Sequence, residues 1–224
     1  MFDWLKGSES GEAGIQAMAA ELDRMLREGR HAFDMACSAL ISGADPSAVR
    51  EELLATDARI DALEASIRRQ IVVHASVHGA EQVPEMMILM SIAKDAERIG
   101  DYAKNILSLA QHHSAGPGEP HHEELKALHS EVSSLLEDAA EIHGSLDRQR
   151  AVDFIRRASG PIDQCKERMT EILHMPTCTG QDALCALAFR YIRRVAGHVQ
   201  NVITGVVYPI DKLDSHDEPQ IDAE

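Results

Sequence analysis

Four carboxylates in two helical pairs are the residues of this chain best suited to chemistry. Glu97 and Asp101 stand four apart within the segment Lys94–Ile106, and Asp57 and Asp61 repeat that spacing upstream. Residues four apart share a helix face, so each pair is presented on one side of one helix. Packed together, two such helices would gather four hard oxygen donors. Without a cation these would repel one another, and a bound metal resolves the repulsion. All-oxygen ligation suits magnesium, calcium or manganese, and iron is compatible. The candidate ligands are Asp57, Asp61, Glu97 and Asp101. The same spacing also describes a plain solvated helix edge. Lys104 is placed to pair with Asp101, and Arg68 with Glu64.

Two other groupings compete. Glu28 with His31 and Glu171 with His174 both read ExxH, the spacing that builds di-iron centres in ferritin-like bundles. Gly29 lies inside one motif, and the two fall on non-equivalent helices, so surface residues are the expected reading. His112, His113, His121 and His122 flank a glycine- and proline-rich stretch and read as a solvated loop. Cys37, Cys165, Cys178 and Cys185 form no CxxC pair and read as small buried apolar residues in a reducing compartment. There is no nucleophile motif and no glycine-rich phosphate loop.

The elements that position the acids are helices. Punctuation divides the chain into six, near 12–41, from Pro46 to about Gly79, from Pro84 to about Ala110, and near 121–146, 148–174 and 182–208. Asp45 can cap the second helix with Pro46 opening it. That helix carries Val49, Leu53, Thr56, Ile60, Leu63 and Ile67 as its inward stripe. The third carries Leu89, Ala93, Ala96, Gly100, Ala103 and Leu107, flanked by Ile88, Ile92, Ile99 and Ile106. Gly160 and Pro161 should kink or split the fifth helix.

A shift of 96 residues lays the third helix on the sixth, matching Arg98 with Arg194 and Asn105 with Asn201. The fold class expected is all-α: two tandem three-helix bundles related by duplication. The divisions are an N-terminal segment 1–11, a first repeat 12–113, a linker 114–120, a second repeat 121–208, and an acidic tail 209–224 expected to be disordered. The second repeat departs from the acidic pattern. Ser159, Arg193 and Gly197 stand where the first has Asp57, Glu97 and Asp101, and only Asp163 matches an acid, Asp61.

Composition narrows the function. The 224 residues carry a formal net charge of −15, which argues against nucleic acid and against docking on anionic lipid. Aromatics are 4% of the chain, a mixture suited to helix-on-helix packing. The N-terminus lacks the basic start and apolar core of a signal peptide, and no run reaches the roughly 20 apolar residues of a membrane span. A cytoplasmic location is expected.

The segment Lys94–Ile106 resembles the signature of the PhoU family of phosphate-uptake regulators, L-E-R-I-G-D-x-A-x-N-I. Glu97, Arg98, Ile99, Gly100, Asp101, Ala103, Asn105 and Ile106 stand at matching positions. Residues 57–64 resemble the family's second-helix motif. Arg190, Tyr191, Arg194, His198 and Asn201 fit the second signature, which lacks its acids here. The resemblance spans roughly residues 12–208. It implies a pair of three-helix bundles and metal held by paired E/D-xxx-D motifs, which would be Asp57, Asp61, Glu97 and Asp101, with iron, manganese, magnesium or zinc as candidate ions. It implies a non-enzymatic regulator that touches a phosphate transporter, ATP-driven or ion-coupled, and its sensor histidine kinase, reaching the membrane only through that partner. A homodimer is compatible. The rival readings are a ferritin-like di-iron oxidase and a metal-free helical adaptor.

Overall fold

Six long helices carry nearly all of the chain in the computed structural model, which describes residues 9–43, 45–80, 82–112 and 114–213. They are α1 (Glu9–Ser42), α2 (Ser47–His78), α3 (Val83–Ala110), α4 (His122–Ser145), α5 (Arg148–Leu173) and α6 (Gly180–Val207). Their order and number match the punctuation in the sequence. Side-chain caps set the starts of α5 and α6, and an Asp45 turn precedes α2. Asp45 accepts from Ser47 N at 2.9 Å, Asp147 from Gln149 N at 3.0 Å and Arg150 N at 3.1 Å, and Thr179 with Asp182 forms a reciprocal capping box. Gly79 ends α2 with φ of 74°, a conformation only glycine adopts without strain.

The inward stripes are buried as spaced. Leu53, Thr56, Ile60, Leu63 and Ile67 of α2 are inside, as are Leu89, Ile92, Ala93, Ala96, Ile99, Gly100, Ala103, Ile106 and Leu107 of α3. Thr56 enters the core because its hydroxyl donates back to Glu52 O at 2.8 Å. Helices α1, α2 and α3 pack on one another, as do α4, α5 and α6. The halves meet where α1 lies on α4 and α3 on α6. One hydrophobic cluster, with Phe33 and Phe189 among its largest fully buried side chains, runs through both halves.

Four expectations change. Pro161 does not split α5, which is one helix from Arg148 to Leu173 with the proline inside it. Burial of Ala158, Pro161 and Cys165 along one face holds the helix together across the missing N–H. The histidine-flanked linker is not a free solvated loop. Ala115 is fully buried and donates its N–H to Leu40 O at 2.9 Å, and His122 Nδ1 donates to Ala115 O at 2.8 Å. His121 packs edge-on against Phe189, and His113 lies outside the described residues. Cys37, Cys165 and Cys185 are buried, whereas Cys178, in the α5–α6 connection, is exposed. Burial raises the thiols of Cys165 and Cys185 to about 12 and about 11. The expected tail begins in order, with a 3₁₀ turn at Ile210–Lys212 against α3; residues 214–224 lie outside the described residues. No helix among the described residues is long and apolar enough to cross a membrane.

Because Phe33 anchors the helix that touches α2, α3 and α4, its truncation is the strongest single test of the shared core. Phe33→Ala should cost about 3–5 kcal/mol, read as a lowered denaturant midpoint at unchanged slope. A loss below about 1 kcal/mol would mean that α1 is not the central packing element.

Candidate functional site

Antiparallel packing of α2 on α3 brings the four sequence-selected acids to one seam. Its tightness comes from Gly100: a Cβ there would meet Ile60 Cδ1 at 3.1 Å and Asp57 Oδ1 at 3.3 Å. The glycine therefore sets the depth at which Asp57 of α2 reaches α3. Asp57 is largely buried, Glu97 and Asp101 are part-exposed, and Asp61 is exposed at the rim. Glu64, one turn on from Asp61, is buried beside them and held by Arg68 at 2.6 Å.

The seam carries its own cations. Lys104 Nζ donates to Asp57 Oδ2 at 2.8 Å and lies 3.0 Å from Asp101 Oδ1. Arg98 Nη1 donates to Asp101 Oδ2 at 2.8 Å, and its Nε is 3.6 Å from Glu97 Oε2. The electrostatics follow from this crowding. Burial, then the charge of Asp101, pushes Glu97 up to about 7 from an ordinary 4.5, and the protonated carboxyl hydrogen-bonds to Asp101. Burial alone would raise Asp101, but the Lys104 ammonium and the Glu97 hydrogen bond outweigh it and hold Asp101 low. Asp61 is raised by burial and by Asp57, and Glu64 by burial against the opposing charge of Arg68.

As a donor set, four carboxylates on two helices fit a hard divalent cation. As they stand, their charge is already matched within the chain. The space between Asp57 and Asp101 belongs to Lys104, and no group of three or more His, Cys, Asp or Glu among the described residues is spaced to hold a metal. The ExxH motifs are not brought together. Glu28 pairs with Arg59 at 2.9 Å, His31 lies 3.8 Å from Glu52, Glu171 pairs with Arg168 at 2.6 Å, and the exposed His174 bonds to its own helix at Thr170 O.

The corresponding place in the second repeat is neutral. Ser159 on α5 and Gln200 on α6 occupy the positions of Asp57 and Lys104, and Gln200 Nε2 donates to Ser159 Oγ at 3.1 Å and to Ile155 O at 2.7 Å. Arg193, at the position of Glu97, is half-buried, and its Nε has no partner among the described residues.

A second polar group, missed in the sequence, lies where α3 meets α6. His198 Nδ1 donates to Asp95 Oδ1 at 2.7 Å, Arg194 Nη2 donates to His198 Nε2 at 3.1 Å, and Arg194 Nε donates to the Tyr102 hydroxyl at 3.2 Å. The signal was present: Asp95 sits three residues after Ile92 and four before Ile99, on the buried face.

The elevated Glu97 carboxyl makes stability pH-dependent. Between 4.5 and about 7 the folded chain keeps a proton that the unfolded chain has released, so stability falls as pH rises through that window. Glu97→Gln keeps a donor for Asp101 and removes the charge. Its melting temperature should therefore gain on that of the wild type as pH goes from about 5 to about 8. A difference that stays constant with pH would exclude Glu97 protonation as the cause.

Comparison with known proteins places this geometry. The family model of the PhoU domain matches residues 22–110, which carry most of α1 and all of α2 and α3. The chain is 24% identical over 133 residues to a phosphate-specific transport system accessory protein PhoU homolog of Synechocystis. That match covers 58% of this chain, and it spans 59%, about three-fifths, of the relative's length. The crystal structure of PhoU from Pseudomonas aeruginosa superposes with a TM-score of 0.69 at 21% identity, covering 89% of this chain and 95% of that one. Residues 22–110 therefore resemble the PhoU domain, and the chain shares the six-helix fold of the Pseudomonas structure.

Proposed function

We propose that the chain is a non-enzymatic regulator of phosphate transport, acting in the cytoplasm by contact with a phosphate transporter or with the sensor kinase coupled to it. The observation that carries this reading is the position of the PhoU domain match, residues 22–110, on the helices that build the acidic seam. The Synechocystis relative, a phosphate-specific transport system accessory protein, supports it.

A contact surface is available on the same repeat. Val73 and Val77 near the end of α2, with Val83 and Met87 at the start of α3, are exposed. Exposed apolar residues gathered at one end of a helical hairpin suit burial against a protein partner.

The seam is the proposed metal position, through Asp57, Asp61, Glu97 and Asp101. A divalent ion there would supply fixed positive charge, tie α2 to α3, and leave coordination sites for an acidic group of a partner. The ferritin-like oxidase has no geometric support, since its four ligands are engaged in separate places. A metal-free adaptor stays consistent with the pairing by Lys104, and metal content separates it from the first reading.

Deletion of the gene should raise phosphate uptake, or phosphate accumulation, at high external phosphate, and the intact gene should reverse the change. Unchanged uptake would sink phosphate control as the main role. If control holds, Glu97→Ala with Asp101→Ala tests the seam: restraint should be lost in cells although the protein remains folded by circular dichroism.

A further inference from the structure

Where the two halves meet, a cavity of about 370 Å³ opens that none of the seam acids lines. Its walls come from four helices. Ile15 and Asp23 belong to α1, Glu85 and Ile88 to α3, His143 to α4 and Val206 to α6. The volume lies within the range of about 300–1,000 Å³ that small-molecule clefts occupy, and the lining is mostly apolar with a few polar groups, as in such clefts. Among the described residues no lysine or arginine lines it, so its wall is acidic where it is charged.

The polar groups of the wall are not alike. Glu12 accepts from Gln16 Nε2 at 3.4 Å. His143, only 5% exposed, donates from Nδ1 to Asp23 Oδ1 at 2.6 Å. Gly144 makes room for that contact, since a Cβ there would stand 3.1 Å from Asp23 Oδ2. With Nδ1 committed, a neutral imidazole keeps only an acceptor. Glu85 stands apart. Its Oε2 is sealed from solvent and has no hydrogen-bond partner among the described residues. Arg148 shares an adjoining hollow with Glu85, but no ion pair joins the two among the described residues.

A part-buried carboxylate with one oxygen unmet is costly to keep, and a positively charged donor in the cavity would meet it. A bare metal ion is the wrong donor. It gains nothing from an apolar wall, and no three acids, histidines or cysteines among the described residues are gathered to hold one. We propose that the cavity binds a small organic amine of the alkylammonium class, with its ammonium at Glu85 and its hydrocarbon on Ile15, Ile88 and Val206. Burial of the hydrocarbon supplies affinity, and the Glu85 charge supplies selection. Because the walls come from both halves, the bound amine ties the first to the second. The site shares no residue with the acidic seam and does not depend on phosphate control.

The test is calorimetric titration of the purified full chain with n-hexylammonium, and with 1-hexanol as its uncharged counterpart. Hexylammonium should bind at one site. Glu85→Gln keeps the shape and removes the charge, and should weaken that binding about tenfold. Hexanol should bind more weakly than hexylammonium, and equally to wild type and Glu85→Gln. Ala19→Leu fills space from a half-buried lining position with a residue that suits a helix. It should abolish binding of both compounds while circular dichroism shows the chain folded. Saturating hexylammonium should raise the melting temperature of wild type and leave that of Ala19→Leu unchanged. Equal affinity of hexylammonium for wild type and Glu85→Gln would overturn recognition by Glu85. Binding that survives Ala19→Leu would overturn the assignment to this cavity. No binding to wild type would overturn the proposal outright.

Discussion

Carboxylate crowding between α2 and α3 is the constraint to which the first repeat answers. Gly100 removes the side chain that would hold the helices apart, with Ile60 at 3.1 Å and Asp57 at 3.3 Å from where a Cβ would stand. That close approach stacks Asp57, Asp61, Glu64, Glu97 and Asp101 along one seam, and like charges at this range destabilise the pair unless they are met. The chain meets them in three ways. Lys104 bridges Asp57 and Asp101, Arg98 and Arg68 clip Asp101 and Glu64 from the outside, and Glu97 holds its proton to about 7. These arrangements all relieve one strain, and a divalent ion would relieve it in one step. The seam's electrostatic problem is therefore met from within the chain.

What keeps the seam in register lies on the other side of α3. Its buried face rests on α1 and α6, and the contact with α6 is fixed by Asp95, His198, Arg194 and Tyr102. Each member of that chain of hydrogen bonds has its partner inside it, so sliding α3 against α6 would leave buried polar groups unmet. The same helix thus presents acids to α2 and a satisfied polar network to α6. Movement of α3 would couple the two, because Asp95 and Glu97 are two residues apart on one rigid element. The core that spans both repeats adds to this stiffness: Phe33 and Phe189 lie in one cluster.

Most of the fold was legible because its signals are local. Stripes such as Leu53, Ile60 and Ile67, the turn at Asp45 and Pro46, and the stop at Gly79 act within a few residues of themselves. So did the four acids, whose i, i+4 spacing needs only a helix to become a face. What failed to show was whatever depends on a neighbour in space. Pro161 reads as a break, yet a buried face carries the helix through it. Histidines 121 and 122 read as a solvated loop, yet one packs on Phe189 and the other holds Ala115. Lys104 reads as a surface partner of Asp101 three residues away. Its bond to Asp57, 47 positions earlier, exists only once α2 and α3 are docked, and the family signature leaves that position unspecified.

The two repeats solve the same packing problem with different chemistry, and the difference divides their labour. In sequence register, the second repeat keeps the cross-helix donor, Gln200 to Ser159, and keeps one acid, Asp163. It gives up the others, places the half-buried Arg193 where Glu97 would be, and leaves open space beside Gly197. A seam without surplus negative charge has nothing for a hard cation to neutralise. The second repeat thereby becomes scaffold: it covers α1 and α3 and supplies the network that fixes Asp95. All the electrostatic tension of the fold is concentrated in the first. Two halves that share geometry and differ in charge set one acidic seam against a rigid, neutral support. That asymmetry follows from three substitutions at equivalent helical positions, Ser159, Arg193 and Gly197, without any change of fold.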